Sequence, residues 1–268
     1  MIHDYFRGKS VWITGASSGI GEALALELST YNVKLILSAR QTGILENIAE
    51  KCRKNGSLAT TLPFDLSNEI EVKEAAQKAS SIYGGVDILI NNGGVTQRSD
   101  IQDTLVSVDR KIMEIDYFSG LILTKALLPS MITKGYGHIV AISSITGLFG
   151  FPQRSAYAAA KHAMVGFYET LWAELHTKGV NVTIVCPGRI QTPISLNAVT
   201  ANGGQYGIMD HGQNTGIPVE KCAKQIIKAI YKRKNQIVIA NFKEHLMIWF
   251  NKYIPWLFYK LVDKVQPT

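Results

Sequence analysis

Residues 10–28 read SVWITGASSGIGEALALEL, and three kinds of chain follow one another within them. Ser10–Thr14 is a short run rich in branched and aromatic side chains, the composition of a buried strand. Gly15, Gly19 and Gly21 then interrupt it, and Glu22 opens a helical pattern reaching to about residue 31. A strand feeding a glycine loop and then a helix is what a pyrophosphate site needs. Glycines permit a tight turn and close backbone approach, while the helix N-terminus offers free N–H groups and the positive end of its dipole. The spacing is GxxxGxG rather than GxGxxG, so a plain turn is the competing reading. The place between strand and helix favours a cofactor.

Outward from this unit, strand patterns at 33–39, 59–62, 86–90, 138–142, 181–185 and 236–239 alternate with helical ones. The helices fall at 42–55, 69–83, 103–133, from Tyr157 to about 178, and at 219–233. The longest is expected to be interrupted or to end near Pro129. This alternation predicts an α/β class: a single-domain Rossmann fold over 1–241, with a doubly wound parallel sheet of about seven strands and helices on both faces. Ligands in such folds sit at the carboxyl ends of the strands. Residues 193–217, rich in Gly, Asn and Thr, read as a functional lid or a disordered loop.

Two strand ends bear on cofactor choice. The second ends in Ser38-Ala39-Arg40, with no carboxylate for a ribose hydroxyl and a guanidinium suited to a 2′-phosphate. NADP is therefore expected ahead of NAD, against the reading of Arg40 as a solvated surface residue. Asp65, in the loop FDLS, is read either as a turn or helix N-cap residue or as a contact for adenine. The fourth strand ends in Asn91-Asn92-Gly93-Gly94, whose small residues let a loop pass close to a ligand.

The chemistry is expected in Ser143–Lys161, SSITGLFGFPQRSAYAAAK. Tyr157 and Lys161 lie four apart, on one helix face, and a neighbouring ammonium favours the phenolate form of a tyrosine. Ser144 could hydrogen-bond a substrate oxygen where charge develops. Alone, a Tyr-x-x-x-Lys spacing is common on solvated helix faces; its neighbours give it weight.

Composition narrows the class. The 268 residues are 46% hydrophobic and 18% charged, with a net charge of +7. That charge suits a phosphate cofactor or anionic lipid; no Lys/Arg block or nucleic-acid module is present, so nucleic acid is not expected. Cys52, Cys186 and Cys222 show no disulfide or zinc spacing, which fits a reducing compartment and no metal. The first residues lack a signal-peptide core, and no run reaches the roughly 18 uninterrupted apolar residues of a membrane span. A cytoplasmic protein, soluble or peripherally membrane-associated, is expected.

TGASSGIG (14–21), NNGG (91–94), ISS (142–144), YAAAK (157–161) and PGRIQT (187–192), in this order, resemble the short-chain dehydrogenase/reductase family. LTKALLPSM (123–131), GHIVAISS (137–144) and SLNAVTANGGQYGIMD (195–210) are similar to its subgroup called SDR family member 7, the 7B form above all. The resemblance implies an oxidoreductase interconverting a carbonyl and an alcohol on an apolar, lipid-, steroid- or retinoid-like substrate. It makes Tyr157 the general acid/base, Lys161 the residue on the nicotinamide ribose, and Ser144 the holder of the substrate oxygen. It lines the cofactor with Gly15, Ser17, Ser18, Gly19, Ile20 and Gly21, puts Asp65 and Leu66 near adenine and Asn92 by the ribose, and sets Ile190 and Thr192 by the carboxamide. It also implies a homodimer or homotetramer packed through the long helices. Two departures stand out. Gly93 replaces a usual alanine and is expected to loosen its loop, and Asp116 falls where the family has a fourth catalytic residue, an Asn. An NADP-binding regulatory or scaffold protein is the alternative that Asp116 leaves open, and an epimerase or dehydratase on the same fold is a third.

The extension 242–268 contains FKEHLMIWFNKYIPWLFYKLVDKV over 242–265, where seven of 24 residues are Phe, Trp or Tyr and four are lysine. Pro255 is expected to divide it into two short helices, or a helix and a turn. Contact with a membrane interface stands as an equal reading beside packing, whether as core, as a dimer contact or as a wall over the substrate site.

Overall fold

Strands covered on both faces carry nearly continuous apolar sequence, and in this molecule helices cover the two faces of one parallel sheet. The computed structural model describes residues 1–262. Its elements are α1 (Ile2–Phe6), β1 (Ser10–Thr14), α2 (Gly19–Leu28), β2 (Lys34–Ser38), α3 (Thr42–Lys54), β3 (Leu58–Thr61), α4 (Glu69–Ala79), β4 (Ile88–Asn91), α5 (Val106–Met113), α6 (Ser119–Lys134), β5 (Gly137–Ile142), α7 (Ser155–Leu175), β6 (Val180–Pro187), α8 (His211–Asn214), α9 (Val219–Tyr231), β7 (Gln236–Ile239), α10 (Phe242–Tyr253) and α11 (Pro255–Val262). The seven strands run parallel in the order β3-β2-β1-β4-β5-β6-β7, the Rossmann arrangement expected from the alternation of elements. Side chains alternate across the sheet. Val11, Ile13, Leu35 and Leu37 pack with α2, α3 and α9, while Trp12, Ile36, Leu89 and Ile139 pack with α4, α6 and α7. The strand order reverses between β1 and β4, and there the chain leaves a crevice above the carboxyl ends.

Several boundaries differ from the expectations for physical reasons. Pro129 does not end its helix; α6 continues to Lys134. Its ring frees the carbonyl of Lys125, which lies on the exposed side where water can satisfy it. The irregularity falls earlier, in a single π-helical turn at Glu114–Phe118 that joins α5 to α6 and carries Asp116. Such turns insert one residue into the helical ladder and re-aim side chains. The N-cap of α4 is Asn68, which accepts from the N–H groups of Ile70 and Glu71; Asp65 instead closes a small turn with the Ser67 N–H at 2.9 Å.

The lid is ordered. Val199 bridges to Gln97 and to Gln205, Ile190 bridges to Ile217, and Ser195, Ala198 and Asp210 are buried. Pro255 divides the extension into α10 and α11 and occupies the first helical position of the second, where its missing N–H costs nothing. Residues 263–268 of that extension lie outside the described residues. Among the described residues one helical run, Val106–Lys134, is long and apolar enough to cross a membrane, and within it Leu123, Leu127 and Met131 are buried in the core against the sheet.

Candidate active site

A single cleft of about 1110 Å³ runs over the carboxyl ends of the strands, from the glycine loop to α10 and α11. At one end its floor is backbone. Gly15 and Gly19 have φ of 64° and 57°, a left-handed region that favours glycine. A Cβ on Gly15 would meet Gly93 Cα at 2.6 Å, and one on Gly21 would meet the Gly15 carbonyl oxygen at 2.2 Å. The loop after β1, the loop after β4 and the first turn of α2 are thus in mutual backbone contact. Asn92 holds them together: its Nδ2 donates to the carbonyls of Thr14 at 2.9 Å and Gly15 at 3.2 Å. Thr14 Oγ1 accepts in return from the N–H of Asn92 and of Gly93. Ser18 precedes α2 without making a side-chain cap, which leaves the first-turn N–H groups available to a ligand phosphate.

Gly15, Ser17, Ser18, Gly19, Ile20, Arg40, Asp65, Leu66 and Asn92 all line this end, and Ile190 and Thr192 close it from the other side. Gly21 does not line the cleft; its missing side chain is what lets α2 sit against Gly15. At Gly93 a Cβ would lie 2.3 Å from Leu66 Cδ1, so an alanine there would require the Leu66 side chain to shift. The arrangement fits a dinucleotide: a glycine cradle that side chains would fill, uncapped helix N–H groups, and an exposed Arg40 at the tip of β2.

Midway along the cleft, β5 delivers the serines and α7 the tyrosine and lysine. Ser143 Oγ is committed to the Lys161 carbonyl at 3.0 Å, so Ser144 is the hydroxyl left facing the cleft. Ser144 Oγ accepts from the Thr146 N–H at 3.2 Å, which fixes its position, and its proton is held only by a long bond to the Pro187 carbonyl at 3.5 Å. Tyr157 and Lys161 are both buried, with the Lys161 ammonium 5.5 Å from the centre of the Tyr157 ring. Lys161 Nζ donates to the Ile142 carbonyl at 3.1 Å and pairs with Asp116 Oδ2 at 3.2 Å. The other oxygen, Asp116 Oδ1, accepts from the Val95 N–H at 2.8 Å.

Burial pushes the Asp116 carboxyl above the usual carboxylate range, against the pull of Lys161 and the Val95 N–H. Burial also works against the Lys161 ammonium, yet the charges of Asp116 and Tyr157 outweigh it and hold that group above the ordinary lysine value. Gly94 makes room for the pair, since a Cβ there would stand 2.8 Å from Asp116 Oδ2.

The far end contains groups that the sequence patterns did not single out. Arg98 Nε donates to Asp210 Oδ2 at 3.1 Å, its Nη2 binds the same oxygen, and Arg154 Nη2 reaches it at 3.3 Å. Burial and the nearby charge of Arg98 push Arg154 down to about 10. Arg98 and Asp210 are 112 residues apart, and no local spacing announces their contact. Arg154 could have been noticed, three residues before Tyr157 and so near it on a helix. The N-terminus of α10 closes this end: Glu244 accepts from the Arg189 N–H at 2.9 Å and from the Asn241 N–H at 2.9 Å. Leu246, Met247 and Phe250 of α10 and Leu261 of α11 line the cleft, and Phe258 is buried against Phe149. On the same two helices Phe242, Trp249, Tyr253, Trp256 and Tyr259 are exposed.

The sequence model of the family described as short chain dehydrogenase matches residues 9–202. The dehydrogenase/reductase SDR family protein 7-like of Drosophila melanogaster is 41% identical over 266 residues, covering 96% of this chain and 80% of that protein. Dehydrogenase/reductase SDR family member 7B of Mus musculus is 39% identical over 262 residues, covering 96% of this chain and 81% of its own. Among solved structures, a short chain dehydrogenase/reductase from Burkholderia phymatum in complex with NAD superposes with a TM-score of 0.81 at 25% identity, over 98% of this chain and 97% of that one.

Proposed function

This chain belongs to the short-chain dehydrogenase family, and from that premise we propose that it is an NADP(H)-dependent oxidoreductase interconverting a carbonyl and an alcohol on a largely apolar substrate. The observation that carries this reading is the meeting of Ser144, Tyr157 and Lys161 with the glycine cradle in one cleft. When bound, the nicotinamide supplies or accepts the hydride. In the reducing direction the Ser144 hydroxyl donates a hydrogen bond to the substrate oxygen and orients the carbonyl. Tyr157 Oη gives its proton to that oxygen as the carbonyl carbon gains the hydride, so the product is an alcohol and the tyrosine is left as an anion. The Lys161 ammonium beside the ring stabilises that anion until a proton returns from solvent. Oxidation runs the same transfers backwards.

Arg40 supports the phosphorylated cofactor, because the tip of β2 offers a guanidinium and no acid. Leu246, Met247 and Phe250 support an apolar substrate. The exposed aromatics of α10 and α11, interleaved with Lys252 and Lys260, support peripheral contact with a membrane. Exposed Leu105, Val106 and Phe118 support pairing of two copies through the α5–α6 face. The Asp116–Lys161 ion pair favours a second reading, a cofactor-binding regulatory protein, since the carboxylate offsets part of the positive field at Tyr157.

The test is a panel of lipid, steroid and retinoid carbonyls with NADPH and NADH side by side. Turnover with NADPH in the native enzyme, falling about 10²- to 10⁴-fold in Tyr157→Phe while cofactor binding persists, is the expected result. Tight NADPH binding without turnover on any carbonyl would favour the regulatory reading.

A further inference from the structure

The helix that carries Tyr157 and Lys161 has no cap of its own. Its N-cap position is held by Arg154, whose side chain makes no capping bond. The first turn of a helix leaves its N–H groups without partners inside the helix, and a serine, threonine, aspartate or asparagine at the N-cap normally supplies an acceptor. In α7 the acceptor comes from a residue 59 positions earlier: Gln97 Oε1 accepts from the Ala156 N–H at 3.0 Å. The other half of the amide fixes the direction of the first. Gln97 Nε2 lies 3.0 Å from Ser99 Oγ, 3.1 Å from Thr104 Oγ1 and 3.3 Å from Ser155 Oγ. A reversed amide would set its NH₂ against the Ala156 N–H, donor against donor. The side chain is fully buried and does not line the cleft, so it meets neither cofactor nor substrate.

The lid fixes Gln97 from the other side. The Val199 N–H donates to the Thr96 carbonyl at 2.8 Å, and the Val199 carbonyl accepts from the Arg98 N–H at 2.9 Å, so Gln97 is flanked by both bonds of one bridge. Its neighbour Arg98 grips Asp210 of the same lid. Tyr157 follows Ala156 in the first turn of α7. Lys161 lies one turn further in and is anchored independently. Ser143 Oγ donates to its carbonyl, and its ammonium is held by the Ile142 carbonyl and by Asp116. An uncapped helix end frays within its first turn, so loss of the Gln97 bond would displace the tyrosine from a lysine that stays. We propose that Gln97 is a positioning residue for Tyr157: it supplies the cap that α7 lacks, and through it the ordered lid sets where the phenol stands.

The proposal deepens the oxidoreductase reading and rests on it for what Tyr157 does, while the hold on α7 can be measured without turnover. Gln97→Met keeps the length of the side chain and removes the acceptor. Its kcat for carbonyl reduction is expected to fall about tenfold or more, because rate drops steeply when a reacting group is misplaced. The dissociation constant for NADPH should stay within about twofold and the substrate KM within about threefold, since neither ligand touches the residue. Amide hydrogen exchange over 156–158 should quicken about tenfold. Gln97→Glu should recover most of the lost rate, because a carboxyl oxygen can accept the same N–H and suits the positive end of the helix dipole. Ser99→Ala, which removes one contact that orients the amide, should lower kcat by a smaller factor and serves as the second variant if Gln97→Met does not fold. An unchanged kcat in these variants, an equal loss of NADPH affinity, or a Gln97→Glu enzyme as slow as Gln97→Met overturns the proposal. Absence of turnover by the native enzyme on any carbonyl would remove the oxidoreductase reading instead. Hydrogen exchange over 156–158 would then still decide the hold on α7: quickened exchange in Gln97→Met supports it, and unchanged exchange overturns it.

Discussion

The two ends of the cleft are built by opposite means. At the dinucleotide end, Gly15, Gly21 and Gly93 bring three backbones into contact, and an added Cβ would strike a main-chain atom or the Leu66 side chain. At the far end, side chains from three separate segments meet, Arg98 after β4, Arg154 before α7 and Asp210 within 193–217, and Glu244 ties α10 to the Arg189 backbone. Backbone geometry tolerates little variation, because no rotamer can relieve a clash with a carbonyl. Side-chain assemblies can be exchanged a residue at a time while the sheet stays fixed. The first end therefore suits a cofactor that never changes, and the second a substrate that differs between related enzymes.

The largest effect should come from testing this contrast directly. Gly21→Ala puts a methyl 2.2 Å from the Gly15 carbonyl oxygen and 2.6 Å from Asn92 Nδ2, so α2 or the glycine loop has to move. Overpacking of this kind costs about 1–3 kcal/mol, which corresponds to roughly 5- to 150-fold if cofactor affinity bears it. Phe250→Ala, at the far end, should leave cofactor affinity within about twofold and lower catalytic efficiency instead. Fluorescence titration with NADPH decides between them. Comparable cofactor loss in both variants would break the distinction between a backbone end and a side-chain end.

The same contrast explains what could be read from the amino-acid sequence. The glycine loop, Asn92, Ser144, Tyr157 and Lys161 stand out because each lies in a short motif, and local spacing survives in one dimension. The sheet order follows from the alternation of strands and helices with little need for tertiary detail. Asp210 could not be found this way, since its partner Arg98 is 112 residues distant and the lid around it has no period. Nor could the π-helical turn at Glu114–Phe118, which has the composition of ordinary helix and becomes necessary only once Asp116 must reach Lys161. Gly93 was legible as a departure, but its neighbour Leu66, 27 positions earlier in the chain, was not.

An intermediate effect should appear at Arg40, the exposed guanidinium on which the proposed NADP preference rests. Arg40 is exposed, so its attraction for a phosphate is moderated by solvent and by salt. Arg40→Glu should lower the preference for NADPH over NADH about tenfold, and more at low ionic strength. The ratio of kcat/KM values for the two cofactors measures it. An unchanged ratio would locate the choice elsewhere in the cleft and show that the cofactor end, too, relies on scattered side chains.

The smallest change in rate, and the most informative about the seam between the two ends, belongs to Asp116→Asn. In the native protein the Asp116 charge helps hold the Lys161 ammonium above the ordinary lysine value despite burial. A lysine raised in this way adds stability that is complete below its unfolded value of about 10.4 and is lost as pH rises through the higher folded value. The carboxyl itself is also raised, by burial, so the folded state takes up its proton more readily than the unfolded chain does. Ionised Asp116 therefore costs stability above its folded value, and acidification relieves that cost. Removing the carboxylate leaves burial acting on Lys161 with less opposition. The lysine should then release its proton at lower pH, moving the alkaline limb of kcat/KM to lower pH. At neutral pH, where Lys161 stays charged in both forms, activity should be kept or raised, since the full positive field now acts on Tyr157. A hundredfold loss at neutral pH with the fold intact would make the carboxylate essential in its own right, and would place a proton-handling group between the dinucleotide and the substrate where the geometry supplies only a counter-charge.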